Sequence, residues 1–560
     1  MKRLPVLALA ALLFVPWVAP IESGAPQAPY RVSAATQPLV RKSAESITAA
    51  QLKDYLSFVA SDEMEGRATP SRGLDATAQF VATLLSRWGV KPAGDDGTFF
   101  QRIVLRRNRI VPDATTLTLG DRSFAYGREF LADRTSGTVS GTLVFAGDGW
   151  FVKSKNRDPY RDIDPKGKIV IVTAGSATPP PGVTVVDLPA GGRGVEWSYP
   201  SDHAKAKGAI GVIQILPLMT LADPDAMDRL RQRLETGDRY PERLEPPPSA
   251  PLPTVYATVR VVRALFANEK ASANAVLAGL QGGIPVTPFT LQPDKTIAFT
   301  VTTAIDRADS QNVVAAIEGS DPQLKREYVA LGAHYDHEGM RASAATDAIY
   351  NGADDDGTGT VALLSMAEAL TKAPRRPRRS VLFVWHMGEE EGLWGSRYFA
   401  TFPTVPIESI VTQLNIDMIG RSRAAGDTDP RNKSLTGPNE LYVIGSKVMS
   451  TELGALSEAV NQAYLRLSFN YRYDDPKDPE QFFYRSDHIN YARKGVPIIF
   501  YFTGTHADYH QPGDEVAKID FVKYEKIART IYATLWEVAE MKARPRVDKE
   551  LPAEAKQGLF

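Results

Sequence analysis

Five short segments carry the residues that could do chemistry. They are His334-Tyr335-Asp336, Asp354-Asp355-Asp356-Gly357, Gly388-Glu389-Glu390-Glu391-Gly392, Asn415-Ile416-Asp417 and Tyr509-His510. Six of the seven histidines fall between 334 and 510, so imidazole and carboxylate are concentrated in one stretch of the chain. Zinc accepts imidazole nitrogen and carboxylate oxygen, and the chain has no cysteine to offer instead. Two histidines and three carboxylates, one of them shared, give each of two cations three protein ligands and leave room for a water between them. Such a water loses its proton far more easily than bulk water. A neighbouring carboxylate must then take that proton and return it to the leaving amine. Adjacent Glu389 and Glu390 suit this division, one binding metal and the other acting as base. Asp336, two residues after His334, is placed to orient that imidazole.

Taken singly, each segment has a plainer reading. An aspartate-rich turn is ordinarily a solvated loop or a helix cap, and this one lacks the regular spacing of a calcium loop. A glutamate triplet is ordinarily surface charge. His337, His386, His488 and His506 compete as ligands, each more ordinarily a structural or supporting histidine. The weight lies in the joint occurrence, because each segment follows a strand pattern or opens a helix. Strands are expected at Tyr328–Ala333, Ser380–Trp385, Val411–Ile416, Leu441–Ile444 and Pro497–Phe502. Helices are expected at Gly357–Leu370, from Leu393, at Thr451–Tyr464 and at Asp487–Lys494. This alternation indicates an α/β fold with a mostly parallel central sheet flanked by helices, whose ligands bind beyond the carboxyl ends of the strands.

Further upstream, Leu74, Ala78, Val81, Leu85 and Trp88 form one apolar stripe on a helix, preceded by a polar loop, Ser61–Arg67. Between about 136 and 282 the character changes to short β-rich runs, with a charged, proline-rich surface excursion at 223–252. The expected organisation is an export signal at 1–25 and a flexible leader at 26–44. A discontinuous catalytic domain follows at 45–135 and 283–545, interrupted by an inserted domain at 136–282 and ending in a frayed tail at 546–560.

These motifs resemble the M28 zinc aminopeptidases. The resemblance rests on Gly332–Asp336, Gly352–Gly359, Gly388–Ser396, Asn415–Gly420 and Tyr509-His510. Glu65-Gly66-Arg67, Asn312-Val313-Val314 and Arg485-Ser486-Asp487-His488 support it, and it runs over most of 45–540. It implies two zinc ions per chain. Asp355 would bridge, with His334 and Asp417 on one ion and Glu390 and His510 on the other. Glu389 would be the general base, and Tyr509 would stabilise the oxyanion. Arg485 would face substrate, and Asp487 is a further candidate for supporting the site. Asp164–Val172 and His203–Ile213 resemble a protease-associated (PA) domain, which implies a role in substrate access.

The 560 residues exceed one ordinary domain, the net charge is −1, and no basic stripe points to nucleic acid. Lys2 and Arg3 precede an apolar run, Leu4–Val18, and small residues follow it. This reads as a signal for export to a periplasmic or extracellular location, with a retained anchor as the alternative and no later segment approaching a membrane span. The expected partners are peptides with a free N-terminus. A carboxypeptidase, a glutaminyl cyclase or a non-catalytic peptide-binding protein on the same scaffold are the competing readings. Oligomeric state is not legible in the sequence.

Overall fold

The computed structural model describes residue 32 and residues 38–173, 179–189, 192–244, 251–280, 285–341 and 347–556. The expected export signal lies outside these residues, as does most of the leader.

A ten-stranded sheet carries the site. Its strands are β1 (Lys91–Pro92), β2 (Phe100–Ile110), β3 (Arg239–Pro241), β4 (Thr303–Ile317), β5 (Tyr328–His334), β6 (Ser380–His386), β7 (Ile410–Ile416), β8 (Glu440–Ile444), β9 (Ser468–Asn470) and β10 (Ile498–Phe502). The order is β3-β2-β4-β6-β5-β7-β10-β8-β9, with β1 beside β4. The centre, β6-β5-β7-β10, is parallel, as the alternating pattern predicts. Antiparallel pairs flank it at β4–β6 and β8–β10, so the sheet is mixed, with a parallel centre.

The parallel strands read as nearly continuous apolar runs because both faces are covered. Val329, Leu331, Ala333, Phe383 and Trp385 face one core, while Ala330, Leu382 and Val384 face the other. The first core takes helices α1 (Ala49–Val59), α2 (Arg72–Arg87), α3 (Gly359–Lys372) and α4 (Phe521–Glu540). On α2 the expected stripe is buried at Leu74, Ala78, Val81 and Leu85, and Ser71 caps the helix by accepting from the Leu74 N–H.

A nine-stranded second sheet has its own core around Ile169, Ile171, Ile213, Val255 and Phe299. Its strands lie between Thr116 and Val301, a wider span than the 136–282 block. The hairpin Thr116–Leu119/Arg122–Phe124 and the strand Thr296–Val301 join it from outside those limits. Residues 223–244 of the expected excursion form regular elements. Asp223 caps a helix, Pro224–Thr236, and β3 then adds to the edge of the main sheet against β2. Within the expected frayed tail, Leu551 and Ala555 are buried in the second face of the main core. The polar loop Ser61–Arg67 is packed against the core, with Met64, Gly66 and Arg67 buried. No helix among the described residues is long and apolar enough to cross a membrane.

Candidate metal centre

All five segments meet at the carboxyl edge of the parallel strands. His334 is the last residue of β5, Asp417 directly follows β7, and Glu389–Glu391 lie in the turn after β6. His334 Nε2 lies 3.3 Å from Asp355 Oδ1 and 3.7 Å from Asp417 Oδ1. His510 Nε2 lies 3.1 Å from Asp355 Oδ2 and 3.0 Å from Glu390 Oε2. The two oxygens of Asp355 therefore face two different imidazoles, each with a second carboxylate beside it.

The structure separates the three aspartates of the 354–356 turn by what they hold. Asp354 Oδ1 accepts from the Gly420 N–H at 2.6 Å and the Thr358 hydroxyl at 3.1 Å. Asp356 Oδ1 accepts from the N–H groups of Gly359 at 2.9 Å and Met418 at 3.1 Å. These two knit the turn to the start of α3 and to the segment after β7, leaving Asp355 for the imidazoles. Asp514 Oδ2 accepts from the N–H groups of Asp354 and Asp355 at 2.9 and 3.0 Å and so fixes the turn from below. Gly352 has φ +55°, and a Cβ there would lie 2.5 Å from the His337 ring, so the turn requires glycine at this position.

The three glutamates differ in the same way. Glu391 is exposed, Glu390 is held between imidazoles, and Glu389 Oε2 lies 4.0 Å from His334 Nε2. Burial, then the charges of Glu390 and Asp417 against the pull of His334, hold the Glu389 carboxyl well above the usual carboxylate range. Asp355 lies well below it, because His334 and His510 outweigh its burial. Burial opposes charge on His510, but Asp355, Glu338 and Glu390 drive its pKa upward. Asp336 Oδ1 accepts from the Glu389 N–H at 3.1 Å, while its main-chain oxygen is the nearer partner of His334 Nδ1, at 3.2 Å against 3.6 Å for the carboxylate. Asp487 is fully buried 3.1 Å from His386, behind the site.

A narrow cleft opens onto Asp355, Glu389 and Asp417. Met418, Phe482, Phe500 and Phe502 give it an apolar wall, with Arg485 and Tyr509 at its side. Arg485 Nη2 lies 3.5 Å from the Tyr509 hydroxyl, and Tyr509 stacks on His510 with ring centroids 3.9 Å apart. Burial, reinforced by the charge of Asp355, pushes the Tyr509 phenol upward and keeps it protonated.

The donor set fits divalent cations that take nitrogen and oxygen. Ligand-capable atoms of His334, Asp355 and Asp417 lie within 4.8 Å of one another, and so do those of Glu338, Glu390 and His510. Asp355 Oδ2 is buried and, apart from its 3.1 Å approach to His510 Nε2, accepts no hydrogen bond among the described residues, which suits an oxygen that faces a metal. Sequence reasoning passed over Glu338 and Asp514, and it gave His337 only the status of a competitor. His337 Nδ1 lies 2.7 Å from Glu390 Oε1, inside the site. Proximity in sequence to His334 and His510 was the one signal available for all three.

A model of the family described as Peptidase family M28 matches residues 312–535. A protein of Leptosphaeria maculans, named a probable zinc metalloprotease, is 30% identical over 265 residues, covering 42% of this chain and 58% of that one. Leucine aminopeptidase 2 of Trichophyton rubrum is 25% identical over 281 residues, covering 45% and 50%. The chain spans about half the length of these curated relatives. A solved aminopeptidase from Aneurinibacillus sp. strain AM-1 aligns over 91% of this chain and 97% of its own, with a TM-score of 0.46 and 17% identity. The family match begins within β4 and ends within α4, and it encloses every one of the five segments, so the part of the chain that holds the site is the part similar to peptidase family M28.

Proposed function

We propose that the protein is a two-zinc aminopeptidase that removes N-terminal residues with apolar side chains from peptides. One observation carries this reading: Asp355 presents one oxygen to His334 beside Asp417 and the other to His510 beside Glu390. His334, Asp355 and Asp417 would hold one zinc, and Asp355, Glu390 and His510 the other. Bound zinc supplies an acidified water and a polarised scissile carbonyl.

The remaining chemistry belongs to the chain. Glu389 takes the proton of the attacking water and returns it to the departing amine, while the oxygen of that water joins the acyl carbon and the C–N bond breaks. Its buried carboxyl lies 4.0 Å from His334 and next to the ligand Glu390, a position from which it can carry a proton between these two steps. The protonated Tyr509 phenol is available to donate to the developing oxyanion, and Arg485 faces the same cavity. Carboxylates at the cavity floor attract a free α-amine, and the phenylalanine and methionine wall takes the side chain next to it. The names of the relatives, zinc metalloprotease and leucine aminopeptidase, agree with this chemistry.

The proposal includes export, from the Lys2-Arg3 and Leu4–Val18 pattern. It also includes a PA-like role for the second sheet in substrate access, supported by the edge strand β3 that this part of the chain adds beside β2. Purified protein on a panel of free-amine, N-blocked and C-blocked peptides tests the central reading. Release of the first residue from free-amine peptides alone is expected. Cleavage of N-blocked peptides would overturn the aminopeptidase assignment.

A further inference from the structure

His337 and Glu338 follow one another immediately, and each reaches a different residue of the Glu390–His510 half of the centre. His337 Nδ1 lies 2.7 Å from Glu390 Oε1, while Glu390 Oε2 is the oxygen that faces His510 Nε2 at 3.0 Å. Glu338 Oε1 lies 3.1 Å from His510 Nδ1, the ring nitrogen that points away from Asp355 and Glu390. Glu338 is in turn ion-paired with Arg341.

The pattern of contacts separates the two roles a histidine can play here: His510 Nε2 lies within 3.1 Å of two carboxylates, whereas His337 Nδ1 has one such partner and lies 3.8 Å from Asp355. Atoms that ligate one tetrahedral zinc at about 2.0–2.1 Å stand roughly 3.3 Å apart. The pairs His334–Asp355, His510–Asp355 and His510–Glu390, at 3.3, 3.1 and 3.0 Å, approach that spacing. The His337–Glu390 distance of 2.7 Å instead suits a charge-assisted N–H···O bond. His337 thus occupies one oxygen of Glu390 and leaves the other free. A carboxylate can only accept, so the Glu338 contact requires the proton of His510 on Nδ1 and leaves the Nε2 lone pair directed at the centre.

We propose that His337 and Glu338 are positioning residues that preset the second metal half, His337 by aiming the Glu390 carboxylate and Glu338 by fixing the tautomer and angle of His510. The inference rests on the two-zinc reading. Its consequence is that one five-residue turn, His334–Glu338, supplies a ligand to the first half and both supports to the second. The fit of the turn is close: the His337 N–H donates to the Arg67 carbonyl at 3.2 Å, and Gly352 leaves room for the His337 ring.

The test is zinc binding by the full chain, measured by metal analysis and by competition with a chelator. His337→Phe and Glu338→Ala should each weaken one zinc by about 10–100-fold and leave the other at wild-type affinity. Glu338→Gln, which keeps an acceptor for Nδ1–H, should restore most of that loss. Asp417→Asn, which damages the first half, should keep the zinc that Glu338→Ala loses, and the double variant should keep neither. Thermal melting of the zinc-free variants should match the wild type, which excludes general unfolding as the cause. Wild-type affinity for both zincs in His337→Phe and Glu338→Ala would overturn the proposal, as would loss of both zincs from either variant. A wild-type protein that binds no second zinc would instead sink the two-zinc reading itself.

Discussion

Arg67 offers the sharpest structural prediction. It is fully buried, with φ +51°, yet it forms no ion pair within 4 Å among the described residues. Its guanidinium donates to four carbonyls: Val59 at 2.8 Å, Asn351 at 2.7 Å, Gly352 at 2.9 Å and Tyr335 at 2.9 Å. These belong to the end of α1, the turn before Asp355 and the turn after His334, so one side chain ties the two loops that face each other across the centre. Burial opposes its charge, and the nearby carboxylates of Asp336, Asp355, Asp356 and Asp514 offset that cost. Arg67→Met deletes four charge-assisted bonds, each worth about 1.5–3 kcal/mol when taken alone. Release of a buried cation returns several kcal/mol, so the net destabilisation should be about 3–5 kcal/mol. Arg67→Lys keeps the charge but has three donors and no planar fork, and it should recover only part of the loss. Urea unfolding of metal-free protein, followed by tryptophan fluorescence, measures the effect without zinc linkage. A variant Arg67→Met within 0.5 kcal/mol of wild type, by the ordinary scatter of surface substitutions, would refute the reasoning.

Three further outcomes follow from the same geometry. Glu389→Gln should keep its zinc and lose about 10²–10⁴-fold in turnover, because the proton carrier goes while the ligands stay; near-normal rates would remove Glu389 from the mechanism. Asp355→Asn should lower the affinity of both zincs together, which metal analysis after dialysis would show, whereas Asp417→Asn should weaken one. Asp474 lies outside the five segments that form the centre. Burial raises its carboxyl to about 6, so the folded state holds its proton more tightly than the unfolded chain does, and stability is lost as pH rises from near 4 through about 6. Asp474→Asn should therefore match wild type near pH 3 and be more stable at pH 8, by up to about 3 kcal/mol, because the carboxyl moves from 3.8 to about 6 on folding. Denaturant unfolding at the two pH values decides it, and an equal difference at both would refute the assignment.

The fold was legible where hydrophobic periodicity was strong. The run Tyr328–Ala333 and the run Ser380–Trp385 are strands covered on both faces, and the stripe Leu74–Leu85 is one helix face. Segments ordered by polar contacts were not legible. Arg67 sits in a run of acidic and small residues that has the composition of a solvated turn, and only four distant carbonyls explain its burial. The excursion at 223–252 is rich in arginine and glutamate, yet Arg243 stacks over Phe402 at 4.0 Å and bonds the Tyr398 hydroxyl at 3.1 Å, anchoring it to the main unit.

At the centre, residue types and spacing showed which segments meet, but not how adjacent carboxylates divide the work. That division depends on which backbone N–H groups each one faces. Asp354 and Asp356 accept from Gly420 and Met418, which lie more than sixty residues away. Glu338 had closeness to His334 as its one local mark of function, since its partner His510 comes from a turn 172 residues later.

Titration of metal-free protein with zinc bears most directly on the central claim. The readout is release of the first residue from a leucine-initiated peptide beside its N-acetylated twin. Activity should saturate at two zinc equivalents per chain and be confined to the free-amine peptide. Full activity without zinc, saturation at one equivalent, or equal cleavage of the acetylated peptide would contradict the account.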